Sequence, residues 1–103
     1  MQTSDIEPAR MRANAAQACR LMKVLANPDR LMILCQLAQG ERRVGELEQL
    51  LGITQPTLSQ QLTVLREEGL VATRREGKHI HYRANSLRAI AVMRVLYEEF
   101  CVR

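Results

Sequence analysis

Between Leu70 and Arg83 the apolar period of this 103-residue chain changes, and that change limits its fold more than any other feature. Up to Gly69 apolar residues recur at three and four, the spacing of one helix face. Leu70-Val71-Ala72-Thr73-Arg74-Arg75 and Lys78-His79-Ile80-His81-Tyr82-Arg83 instead read as two short strands. Glu76-Gly77 is the hairpin turn between them, glycine supplying the positive φ that tight turns demand. Beyond it helical spacing returns. The expected architecture is therefore mainly α with one two-stranded β-hairpin, in a single domain over 1–103.

The helices can be placed from their stripes and their breakers. Met11, Ala15, Ala18, Leu21, Met22 and Leu25 predict a helix over 9–26, preceded by a frayed 1–8. Asn27-Pro28 ends it, because proline disfavours helix at the preceding residue and suits the first turn of the next. A second helix runs over about 29–39 on Leu31, Leu34, Cys35 and Ala38, with Gly40 as its stop. Val44, Leu47, Leu50 and Leu51 predict a third. Gly52-Ile53-Thr54 is then a turn, with Thr54 as a cap and Pro56 in the first turn of a fourth helix. Leu58, Leu62 and Leu65 line its inner face. The fifth, Ser86–Cys101, has almost no polar face, so it must be covered on both sides. In so small a domain one of those covers is a second subunit.

The charge is located as sharply as the period. The net charge is +4, and residues 1–69 hold eight Lys/Arg against eight Asp/Glu. The excess lies in 70–88, where Arg74, Arg75, Lys78, Arg83 and Arg88 face only Glu76. A basic stripe confined to one segment suits a polyanion. Three aromatic residues are too few for a base-stacking RNA-binding sheet. No apolar run is long enough to span a membrane, and the polar N-terminus does not read as an export signal. With an odd count of three cysteines, a reducing cytoplasm is the expected setting.

Two helices joined by a tight turn over 44–69, followed by a basic hairpin over 70–83, have the order of a winged helix-turn-helix. The free face of the second helix carries Gln55, Thr57, Ser59, Gln60, Gln61, Thr63 and Arg66. Amide and hydroxyl groups both donate and accept, so they can read base edges in a major groove. Gln55, Thr57, Ser59, Gln60, Thr63 and Arg66, with Arg74, Arg75, Lys78 and His79 of the wing, are the expected contacts to double-stranded DNA. A solvated polar face or a protein-interaction module built on the same fold would look similar in these residues alone.

The combined motifs resemble a family. Asn27-Pro28-Asp29-Arg30-Leu31-Met32-Ile33-Leu34, Val44-Gly45-Glu46-Leu47, the run Gln55–Arg66 and Gly69-Leu70-Val71 are similar to the ArsR/SmtB transcriptional repressors, from about Ala13 to Cys101. The resemblance implies a homodimer formed through the first and last helices, 9–26 and 86–101. It also implies binding to an inverted-repeat operator, relieved by an inducer.

The family's usual metal sites are missing. Arg43 and Gly45 stand where thiols would be required at the third helix, and Ser86–Cys101 contains no histidine. His79 and His81 alternate on one strand and so share a face, but no further ligand of suitable spacing completes a zinc site. No metal or other cofactor is expected. Cys35 and Cys101 match the cysteine pair of the BigR/SqrR/HlyU-like subgroup. That resemblance implies a sensor of persulfides and polysulfides, closing a disulfide or polysulfide bridge within a subunit, with Cys19 a bystander. Read without the resemblance, the cysteines serve equally as inert core residues. Glu98 and Glu99 beside Cys101 disfavour its thiolate, and burial disfavours that of Cys35. A metal-responsive repressor with an unfamiliar site and a small thiol oxidoreductase are the alternatives, although no CxxC or cofactor loop is present.

Overall fold

Capping chemistry sets the helix starts in the computed structural model, which describes residues 6–102. α1 spans Pro8–Leu25, α2 Pro28–Gln39, α3 Val44–Leu51, α4 Gln55–Glu67 and α5 Leu87–Phe100. The Asn27 side chain accepts the Arg30 amide proton at 3.0 Å, and Ser86 accepts that of Ala89 at 3.1 Å. Both satisfy amides that the first helical turn leaves unpaired. At α3 the Glu46 carboxylate reaches back to the Arg43 amide at 2.8 Å. Thr54 occupies the cap position of α4, yet its side chain makes no capping bond.

Helix ends differ from the sequence expectation by one residue. α1 begins at Pro8, because proline's fixed φ suits a first helical turn, so Pro8 is helical and not part of the frayed end expected over 1–8. Residues 1–5 of that expectation lie outside the described residues. α1 stops at Leu25, not Ala26, and α5 runs 87–100, not 86–101, because its terminal residues are caps.

The wing is displaced in the same way. β1 spans Val71–Glu76 and β2 His79–Ala84, antiparallel, with Val71 opposite Ala84 and Glu76 opposite His79. The turn is therefore Gly77-Lys78, with Gly77 at φ +61°. Leu70 is lost from the strand because α4 ends in a Schellman motif. The Leu70 amide donates to the Leu65 carbonyl at 2.9 Å and that of Gly69 to Arg66 at 3.0 Å, with Gly69 at φ +77°. Arg42 adds a bridge that periodicity could not reveal, exchanging both backbone bonds with Tyr82 at 3.0 and 2.8 Å.

α2 is the central element, touching α1, α3, α4, α5 and β2. Its Ile33, Leu34 and Leu37 are buried with Leu47, Leu58, Leu62 and Leu65, and Val24, Leu25, Leu70, Val71, Ala89 and Met93 close the core. Each of the Val, Leu, Ile and Met side chains among them contributes roughly 1.5–3 kcal/mol on burial. The expected stripes of two helices need correction. Ala38 is exposed while Ile33 and Leu37 are buried, and Leu50 of α3 faces out. Contiguous apolar runs such as Leu31–Cys35 contain several stripes of equal spacing, and the neighbours choose between them.

The outer helices are only half covered. Met11 and Met22 of α1, and Val95, Tyr97 and Phe100 of α5, are exposed in the single chain, Phe100 at 79%. Between the start of α5 and α1 lies an open groove lined by Met11, Ala18, Leu21, Leu87, Ala91 and Val92. Among the described residues no helix is long and apolar enough to cross a membrane.

Candidate nucleic-acid interface and thiol pair

α4 carries the face expected to read bases. Leu58, Leu62 and Leu65 point into the core, Ser59, Gln60 and Thr63 emerge on the free side, and Gln55 and Arg66, nearer to Leu62 in angle but close to the two ends of the helix, are exposed as well. Thr57 stands apart, half-buried on the flank it shares with Gln61 and Val64. Thr63 spends its hydroxyl proton on the Ser59 carbonyl at 2.9 Å, which leaves its oxygen free to accept. Gln61 leaves the polar face altogether. Its side-chain oxygen accepts from the Arg30 guanidinium at 3.0 Å.

The wing's cations are of two kinds. Arg75, Lys78 and Arg83 are exposed and make no ion pair among the described residues. Arg74 differs. Its Nε lies 2.9 Å from Glu41 Oε1 and its Nη1 3.2 Å from Glu76 Oε2, and both carboxylates hold its guanidinium more firmly protonated. Arg74 braces the wing against the segment before α3, with its charge already compensated. A basic residue on a strand looks the same in sequence whether or not a distant glutamate meets it.

His79 faces Arg43 from the wing, with Nδ1 3.4 Å from a guanidinium nitrogen. His81 is half-buried, its Nε2 3.9 Å from Glu76 Oε1. Among the described residues no three His, Cys, Asp or Glu side chains are grouped to hold a metal ion. Arg43 is a contact candidate that the sequence reading passed over. It lines a shallow cleft between α3 and the wing with Gln49, Lys78 and Ile80, and the doublet Arg42-Arg43 ahead of α3 was its only signal.

The cysteines are all free thiols. Cys35 is half-buried on α2, while Cys101 is exposed at the C-cap of α5, its amide donating to the Tyr97 carbonyl at 2.8 Å. Burial pushes the Cys35 thiol up, and the charge of a Cys101 thiolate adds to the effect. Cys101 lies outside the core, because α5 runs on past its last buried residue, Met93. Cys19 is exposed on α1.

Comparison with known proteins fits this geometry. Residues 27–73 match the model of the bacterial regulatory protein, arsR family. The biofilm growth-associated repressor of Xylella fastidiosa is 50% identical over 93 residues, covering 90% of this chain and 82% of the relative. The crystal structure of the transcriptional repressor BigR from Xylella fastidiosa superposes with a TM-score of 0.90 at 48% identity, covering 95% of this chain and all of that one. Reduced HlyU from Vibrio cholerae gives 0.83 at 41% identity, over 89% and 97% of the two chains. These relatives are transcriptional regulators and not enzymes, and they share the winged helix-turn-helix seen here. The chain belongs to the ArsR family of bacterial regulatory proteins.

Proposed function

We propose that the chain acts as a homodimeric repressor that binds an inverted-repeat operator and releases it when a sulfur bridge joins Cys35 to Cys101. Gln55, Ser59, Gln60 and Thr63 of α4 would meet base edges, with Thr57 at the flank. Arg66, Arg75 and Lys78 would meet phosphate, and His79 would stand at the edge of the wing. The exposed apolar faces of α1 and α5 would form the dimer, which sets the two α4 helices one helical turn of DNA apart. Repression is supported by the Xylella fastidiosa relative, described as a biofilm growth-associated repressor and as the transcriptional repressor BigR, whereas HlyU of Vibrio cholerae is described as an activator. HlyU of Vibrio cholerae, described in a reduced form, supports thiol chemistry.

The sensing step rests on two free thiols carried by neighbouring helices: α2, which bears half-buried Cys35, packs against α5, whose C-cap is the exposed Cys101. A direct disulfide needs Cα atoms within about 7 Å, whereas inserted sulfur atoms widen the allowed gap. The chemistry balances with an organic polysulfide as oxidant. Each cysteine displaces one terminal thiol, the inner sulfurs stay between Cys35 and Cys101, and the two protons leave on the two released thiols. Bridging ties α2 to α5 and biases the dimer away from the DNA-bound spacing. A hundredfold loss of affinity needs only about 2.7 kcal/mol between the two states.

Mass spectrometry of protein treated with polysulfide, run beside operator binding, tests the reading. The expected result is a Cys35–Cys101 crosslinked peptide carrying added sulfur, formed as DNA is released. A Cys35→Ser variant released at the same dose as wild type overturns it.

A further inference from the structure

Guanidinium groups carry the connection between α1, with its uncovered face, and α4, with its polar face. The backbones of α1 and α4 do not pack closely, and α4 rests on α2, α3 and β1. Arg20 of α1 spans the gap, its Nε and Nη2 donating to the two carboxylate oxygens of Glu68 at 2.7 and 3.2 Å. Glu68 is the C-cap of α4. Arg30 of α2 makes the second link. Its Nε donates to the Val24 carbonyl in the last turn of α1 at 2.7 Å, and its Nη1 donates to Gln61 Oε1 of α4 at 3.0 Å. Arg30 thus satisfies a carbonyl that the end of α1 leaves open and grips α4 with the same group. The Glu68 carboxyl is held below the ordinary range by the Arg20 hydrogen bond, with the Arg30 charge adding.

This junction contributes little to folding. Arg20 is 73% exposed, and exposed ion pairs are worth little on their own. A two-pronged guanidinium–carboxylate contact does fix direction and distance. We infer that the Arg20–Glu68 and Arg30–Gln61 pairs are positioning residues that set the angle of α4 against α1, and with it the half-site spacing that the dimer accepts. The inference rests on the operator-binding reading above. One base pair of spacer moves a half-site by about 3.4 Å and turns it by about 34°. A loosened α4 is therefore read out as tolerance of altered spacing, not as unfolding.

Duplexes selected by the wild-type protein from a random pool are rebuilt with spacers one or two base pairs longer and shorter, and their affinities are measured by fluorescence anisotropy. The wild type is expected to prefer its own spacing by about tenfold or more. Arg20→Ala and Gln61→Met should each cut that preference to about threefold or less, with a single cooperative unfolding transition and the dimer mass retained. The exchanged pair Arg20→Glu with Glu68→Arg should recover it where either single change does not. An unaltered preference in both Arg20→Ala and Gln61→Met overturns the inference and leaves operator binding intact. A wild-type protein that selects no duplex overturns the functional reading, and this inference with it.

Discussion

Arg74 on the wing points its Nε at both oxygens of Glu41, at 2.9 and 3.1 Å, across 33 residues of sequence. A cation that sequence alone assigns to DNA is thereby already engaged within the protein. The wing's outward charge rests with its neighbours Arg75, Lys78 and Arg83.

That distinction is measurable through salt. Each phosphate contact adds close to one unit to the slope of log affinity against log salt. Arg75→Ala and Lys78→Ala should each lower the slope by about one unit, uniformly across DNA sequences. Arg74→Ala should change it by much less. Anisotropy titrations at several salt concentrations check this, and equal slope losses for Arg74 and Arg75 would refute the division.

The core makes an equally direct contrast. Leu62 is 2% exposed and Leu50 55%, although both sit on expected inner stripes. Leu62→Ala should cost about 2–5 kcal/mol, the sum of lost burial and cavity. Leu50→Ala should stay within about 0.5 kcal/mol. Urea unfolding at fixed protein concentration distinguishes them.

Acid should weaken the fold at a particular place. The Glu68 carboxyl is depressed by Arg20 and that of Glu46 by the Arg43 amide. A depressed carboxyl contributes stability that is fully present above its unfolded value of about 4.3 and is lost as pH falls through the lower folded value. Stability should therefore decline as pH drops below about 4.3. Arg20→Ala returns Glu68 toward its ordinary value, so urea midpoints at pH 7 and pH 3 should lie closer together in the variant. An undiminished difference would show that Arg20 does not hold this proton.

The thiols should react in an order set by access. Iodoacetamide should alkylate Cys19 and Cys101, both exposed, well before Cys35, whose thiol burial pushes up. Cys101→Ser removes one of the two influences on Cys35 and should quicken its alkylation at neutral pH. Peptide mapping over a time course reads both rates, and no change at Cys35 would separate the two sulfurs.

A large part of this protein was legible in its residues. Prolines 28 and 56 and Gly77 mark local backbone chemistry, which acts over a few residues and so survives in the sequence. Leu58, Leu62 and Leu65 were assigned correctly because α4 has one apolar stripe and one polar face. α2 has a contiguous apolar run, and there the spacing places Leu31, Leu34 and Cys35 inward but selects Ala38 in place of Ile33 and Leu37.

What required the tertiary structure was every decision made by a distant partner. Glu41 neutralises Arg74 from 33 residues away, and Arg30 removes Gln61 from the free face of α4 from 31 residues away. Leu70 leaves the wing because the end of α4 uses its amide. Local propensity and spacing determine which elements form and in what order. Which charges stay free, and which cysteine is covered, depend on contacts between residues that only folding brings together.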